Sequence, residues 1–300
     1  MSKLNAQPGV VVGVDGSPGS GAAVHWAARD AELRNVALTL VHVLPATAGR
    51  WLESSLLPAW MSAQRERGRQ VLDAALQIAA ESCQRDASQI HTEMPCGINV
   101  PALVDLSKDA DLVVVGCLGT GTLRGRHLGS VSSGLAHHAL CPVVVIHDDV
   151  QLNAPAAHAP VLVGIDGSRE SELAIAIAFD EASRRKVDLI ALHTWSDVGA
   201  FDPVFSLRGP GWPALRAVEE EVLAERLAGW GERYPDVYVH RRIARGEPAY
   251  QLVDMSQSAQ LVVVGSHGSG GFAGMLLGSV SAAVMLLAHV PVIVAREALA

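Results

Sequence analysis

Several protein classes lose support from what this 300-residue chain has little of. Only four cysteines occur, Cys83, Cys96, Cys117 and Cys141, without a CxxC pair or a dense framework, so reduced thiols are expected. Hydrophobic content is 49% and mean hydropathy +0.26, yet the Val-rich blocks are short and interrupted by Gly, Asp and His. None approaches the ~20 apolar residues of a transmembrane helix. Met1 to Pro8 also lacks the apolar core of a signal peptide, which predicts a cytoplasmic protein. Basic residues number 23 against 31 acidic ones, and the resulting net charge of −8 argues against a nucleic-acid or anionic-membrane partner. The small basic groups, Arg65, Arg67 and Arg69, then Arg184-Arg185-Lys186, fit solvated helix faces. Missing as well are the P-loop Gly-x4-Gly-Lys-Ser/Thr, a dinucleotide fingerprint behind the first strand, and kinase signatures.

What is present is a glycine pattern stated twice. Leu112-Val113-Val114-Val115-Gly116 leads to Gly119, Gly129 and Ser130, and Leu261-Val262-Val263-Val264-Gly265 leads to Gly268, Gly278 and Ser279. Both copies read Gly-x2-Gly-x9-Gly-Ser, a buried strand opening into a loop that closes on a helix start. Such loops expose backbone N–H groups to a phosphate chain. The repetition extends further: Val11-Val12-Gly13-Val14-Asp15-Gly16-Ser17 returns as Leu162-Val163-Gly164-Ile165-Asp166-Gly167-Ser168, and Leu103-Val104-Asp105-Leu106-Ser107 as Leu252-Val253-Asp254-Met255-Ser256. The chain is a tandem duplication, with domains expected at 1–149 and 161–300 around a Pro- and Ala-rich linker at 150–160.

Strand and helix signals alternate. Strands are expected near Val10–Val14, Leu38–Val43, Ile90–Met94, Leu112–Val115 and Val143–Ile146, and again near Val161–Ile165, Leu189–His193, Val237–Ile243, Leu261–Val264 and Val292–Val294. Helical patterns fill the intervals, the longest in the second half over Ala214–Arg233. Continuous apolar strands separated by helices predict an α/β fold, two doubly wound parallel-sheet domains in tandem. Two longer segments, Pro45 to Trp60 and Ser196 to Pro213, follow the second strand of each half as functional loops or as plain surface excursions.

The strand ending in Asp-Gly-Ser, with the duplicated glycine loop, resembles the ATP-binding branch of the universal stress proteins, in the tandem form typical of mycobacteria and other actinobacteria. The resemblance implies a five-stranded sheet of order 3-2-1-4-5, ATP with Mg at the strand ends, and a homodimer with pairing of domains through the last strand. In a sheet of that order the crevice lies beyond strands one and four, which end at Asp15 and Gly116 and, in the second half, at Asp166 and Gly265. The aspartates either accept hydrogen bonds from the adenosine end or cap the next turn. Gly116, Gly119 and Gly129, like Gly265, Gly268 and Gly278, would let backbone approach a pyrophosphate. Ser130 and Ser279 either cap a helix or bind phosphate, and by resemblance Val43 and Thr194 receive adenine. Gly13, Val131, Gly164 and Val280 complete the implied contacts. Arg124, Arg126 and His127 in the first loop have no Lys or Arg counterpart in the second; facing inward they would favour triphosphate, facing solvent they would not. Cys117 is either a small buried residue or a thiol coupling oxidation to nucleotide release. The expected role is a cytoplasmic stress-response regulator switched by ATP, with an unidentified protein partner. A slow ATPase and a nucleotide-independent scaffold are the alternatives.

Overall fold

The computed structural model describes residues 9–46, 57–84, 89–119, 127–147, 158–195, 212–268 and 276–297. The chain divides into two compact units, Met1–Val150 with Arg296–Ala300, and Gln151–Ala295. The first unit contains β1 (Val10–Gly13), α1 (Pro18–Arg34), β2 (Leu38–Val41), β3 (Leu44–Pro45), α2 (Leu57–Ser82) and β4 (Ile90–Glu93). It continues with β5 (Cys96–Gly97), α3 (Asn99–Leu106), β6 (Leu112–Gly116), α4 (Ser130–His138) and β7 (Val143–Ile146). The second unit contains β8 (Val161–Ile165), α5 (Arg169–Arg185), β9 (Leu189–Trp195), α6 (Trp212–Arg226), α7 (Trp230–Arg233) and β10 (Val239–Arg245). Its last elements are α8 (Pro248–Ser256), β11 (Leu261–Gly265), α9 (Ser279–Leu287) and β12 (Val292–Ala295).

Within the first unit the strands order β4-β2-β1-β6-β7, every pairing parallel, with β3 and β5 forming a small separate ribbon. Within the second the order is β10-β9-β8-β11-β12, again parallel throughout. Counting long strands only, each sheet runs 3-2-1-4-5. Helix α1 packs on α2 and α3 on α4, as right-handed crossovers leaving the central strand in opposite directions require. The central strands are buried on both faces, and their Val and Leu side chains form the core. The direction in which successive strands are added reverses between β1 and β6, and between β8 and β11, so each sheet opens a crevice there.

The helix that follows each first strand starts from one local device. Gly16 and Gly167 adopt φ +82° and +80°, which glycine tolerates without strain, and this turns the chain out of the strand. Ser17 and Ser168 then cap α1 and α5, their hydroxyls accepting from the N–H of Ser20 (3.2 Å) and Ser171 (3.1 Å). Each of these helices also carries a buried ion pair: Asp30 and Glu181, both 1% exposed, meet Arg34 at 2.6 Å and Arg185 at 2.9 Å.

Several boundaries differ from expectation, three of them in ways that shape the fold. The helix expected over Ala214–Arg233 is two, parted at Gly229 with φ +80°. Past this break Trp230 stacks on the buried Phe179 with centroids 5.2 Å apart, and Tyr234 meets the same ring tilted at 5.6 Å. Strand β10 begins at Val239 and runs to Arg245, two residues later than expected at each end. Strand β2 stops at Val41, after which His42 and Leu44 donate to the carbonyls of Glu93 (3.0 Å) and Pro95 (2.8 Å), carrying the chain into the ribbon.

Candidate functional site

A cavity of about 520 Å³ opens at the carboxyl ends of β1, β2 and β6, a size within the range of small-molecule sites. It brings together all eight first-half residues singled out in the sequence: Gly13, Asp15, Val43, Gly116, Gly119, Gly129, Ser130 and Val131. The second-half residues take equivalent positions. Gly164 lies in β8 with Asp166 just beyond it, Thr194 near the end of β9, Gly265 at the end of β11, Gly268 three residues on, Gly278 as the cap of α9, and Ser279 and Val280 in its first turn.

The aspartates serve the turn and face the loop together. Asp15 Oδ1 accepts the N–H of Ser17 at 2.9 Å, and a Cβ on Gly119 would stand 2.6 Å from Asp15 Oδ2. Asp166 Oδ1 accepts from both the N–H and the hydroxyl of Ser168, at 3.0 and 2.6 Å, and a Cβ on Gly268 would lie 2.5 Å from its Oδ2. Carboxylate and glycine are thus mutually fitted across each crevice.

The glycines have separate reasons. Gly116 lies against α1, where a Cβ would fall 2.8 Å from the carbonyl carbon of Gly19; Gly265 stands likewise 3.0 Å from Glu170 backbone. Helix packing therefore demands these two. Gly13 and Gly164 admit Leu103 and Leu252, whose Cδ1 atoms would be 3.2 and 3.1 Å from an added Cβ. None of the site glycines is among the described residues with positive φ, so close approach, not backbone handedness, selects them.

Gly129 and Gly278 cap α4 and α9 and have no side chain to accept from the first-turn N–H groups. Ser130 and Ser279 are the first helical residues and do not cap; the hydroxyls one turn in, on Ser132 and Ser281, bond instead to the carbonyls of Cys117 (2.9 Å) and Gly265 (2.5 Å). The start of α4, Gly129 to Ser132, therefore presents backbone donors and the positive end of the helix dipole to the cavity. Among the residues lining it, as far as described, there is no lysine or arginine. Arg124 and Arg126 lie outside the described residues, as do Gly121, Gly125, Gly270, Gly271 and Gly274.

Residues not singled out also line the cavity, notably His42, Asn99, Leu103 and Leu118. Leu103 was visible as part of the repeated Leu-Val-Asp segment; Asn99 corresponds to Pro248 in the second copy of the sequence and carried no repeat signal. His42 donates from Nδ1 to Val14 O at 2.8 Å, and His193 likewise to Ile165 O at 2.7 Å. In the second unit Glu219 Oε2 adds a contact at 3.0 Å to His193 Nε2; beside His42 the neighbouring helix offers Gly68, whose added Cβ would be 3.0 Å from the ring. Cys117 is buried beside the cavity. Cys141, away from it, is buried so that its thiol is pushed up to about 12 and stays unreactive.

His267, inside the second Gly-x2-Gly, has a buried Nε2 that meets no hydrogen-bond partner among the described residues. An orphan of this kind costs about 1–3 kcal/mol.

A family model for the universal stress protein family matches residues 9–147 and again 158–296. The chain belongs to the universal stress protein family. A universal stress protein of Mycobacterium tuberculosis (strain ATCC 25618 / H37Rv) is 55% identical over 300 residues, covering all of both chains. One from Mycolicibacterium smegmatis is 48% identical over 297 residues, covering 99% of each. The crystal structure of a universal stress protein from Archaeoglobus fulgidus superposes with a TM-score of 0.68 at 23% identity, covering 97% of this chain and 98% of that one, which attests the fold. Among the described residues of this universal stress protein no helix is long and apolar enough to cross a membrane.

Proposed function

We propose that this universal stress protein is an ATP-binding regulator of the stress response, one adenine nucleotide to each unit, with occupancy acting as the switch. The observation that carries the reading is the cavity at the point where strand order reverses, where Asp15, the Gly116–Gly119 loop and the uncapped start of α4 converge. Those donors suit an anionic chain: backbone N–H groups and a helix N-terminus favour phosphate oxygens and need no cationic side chain. Asp15, whose carboxylate faces Gly119, suits hydroxyl or amino donors of adenosine, and Val43, just past the end of β2, lines the cavity for the base. Among the described residues no cluster of three or more His, Cys, Asp or Glu could hold a metal, so Mg would enter with the phosphates. All four cysteines are free thiols, in keeping with a cytoplasmic setting, and the reading includes self-association into a homodimer.

Calorimetry with Mg-ATP tests this directly. A stoichiometry near two per chain is expected, one would mean that a single unit binds, and zero would sink the reading in favour of a nucleotide-independent scaffold. Mass spectrometry of ligands released on denaturing the purified protein gives an independent answer.

A further inference from the structure

Strand β10 closes one side of the second sheet with an edge unlike its counterpart in the first. It runs seven residues, Val239–Arg245, parallel to β9, whereas β4 runs four and stops at Glu93, two residues before Pro95. Ala244 stands where the first copy has Pro95, so no proline interrupts the ladder. Tyr238 O accepts from Leu189 N–H at 2.9 Å and Gly246 N–H donates to Trp195 O at 3.1 Å, which turns the backbone groups of the even-numbered residues toward β9. Those of Val239, Arg241 and Ile243 therefore point outward, and among the described residues no strand pairs with them. Arg241 and Arg242 are exposed and have no ion-pair partner among the described residues, and the Arg245 guanidinium lies 6.0 Å from the centre of the Trp195 ring. Two exposed tyrosines bracket the strand: Tyr238, 66% exposed and edge-on to His240, and Tyr250, 67% exposed in the first turn of α8. At these five positions the first copy has Gln89, Thr92, Glu93, Cys96 and Pro101.

We infer that the outer edge of β10 docks an extended acidic segment of a partner protein, added to the second sheet as one further strand. An open edge offers N–H and C=O groups in a row, which another peptide backbone matches. Charge then selects among peptides, because cross-strand pairs of opposite sign support an added strand and like pairs oppose it. Glutamate or aspartate beside Arg241, Arg242 and Arg245 fits that rule. A second copy of the chain on the same edge breaks it, since two β10 strands would bring their arginines together. Asp188 does not neutralise the edge: it is held by His240 Nε2 at 2.7 Å. Arginine and tyrosine are, besides, the side chains that most often carry binding energy at protein interfaces. A nucleic-acid strand would use the arginines and leave the row of backbone groups unmatched, and the net charge of −8 opposes it. The docking edge stands independently of nucleotide binding.

Fluorescence anisotropy on the full chain, with a labelled peptide of alternating Glu and Val and a Lys/Val peptide as control, tests the inference. The acidic peptide should bind saturably and more weakly as salt rises, and the basic one should not bind. Arg241→Glu together with Arg242→Glu should weaken binding at least about 10-fold while the thermal midpoint holds. Arg241→Gln and Arg241→Pro separate charge from backbone. Both lose the guanidinium, and only the second also loses an outward N–H, a change that an edge strand tolerates. Arg241→Pro should therefore bind the peptide more weakly than Arg241→Gln. Equal losses in these two variants overturn the inference, leaving a cationic surface without strand addition. Displacement of the peptide by an oligonucleotide of the same charge as readily as by unlabelled peptide does the same, as does a parent chain that binds neither peptide.

Discussion

Asp15 and Gly119 work as one device, since the carboxylate that fixes the turn through Ser17 also occupies the space a side chain at Gly119 would need. A valine there pushes the carboxylate aside as well as intruding on the cavity. Gly119→Val should therefore abolish first-site nucleotide binding, and its effect should resemble that of Asp15→Ala in losing affinity for adenosine itself. For Asp15→Ala the expected loss is about 1–3 kcal/mol, the scale of a hydrogen bond to a charged group. Calorimetry with adenosine and ATP on both variants decides the matter. Adenosine affinity untouched by Asp15→Ala would reduce the carboxylate to a turn-former. Gly116 behaves otherwise: it is surrounded by the α1 backbone, and its substitution would be felt first in the packing of α1 on β6.

Elements were legible in the sequence wherever one local cause sufficed. Val10–Gly13 and Leu112–Gly116 declare themselves as buried parallel strands by unbroken apolar runs, and Ser17 and Ser168 mark helix starts two residues past an aspartate. Of the site, the glycine loops were legible because they occur twice. The position of His42 and Asn99 was not, because it depends on which strand ends and helix starts meet in space. The break at Gly229 escaped for a similar reason: the Phe179 stack that goes with it comes from a distant segment. The ion pairs on α1 and α5 have an i,i+4 spacing that does not tell a surface pair from a buried one, and their carboxylates are almost fully enclosed. Exposed pairs of this spacing contribute a few tenths of a kcal/mol, whereas removing one partner of a buried pair costs about 3–5 kcal/mol. Arg34→Met should approach the larger figure in urea denaturation. A loss below about 0.5 kcal/mol would show that water reaches Asp30 readily.

Across the whole chain, duplication has kept the crevice and changed its fittings. Glu219 engages His193 where Gly68 packs closely against His42, and His267 replaces Leu118. Neither change supplies the parts of a fast phosphoryl-transfer site. Such chemistry needs a nucleophile held in line, charge neutralisation on the transferred group and a positioned base, all fixed together. In the first unit the described lining offers backbone donors from Gly129 to Ser132, one carboxylate at Asp15, and no lysine or arginine. Donors that meet the phosphates equally in ground and transition states give affinity without rate. Bound ATP should accordingly turn over far below the ~10 s⁻¹ of a median enzyme. Single-turnover hydrolysis by the full chain, freed of contaminating ATPases and compared with the Gly119→Val, Gly268→Val double variant, measures this. Rapid phosphate release that disappears in the double variant would make the protein an ATPase whose cationic groups lie in the loops, with Arg124 and Arg126 the first to replace.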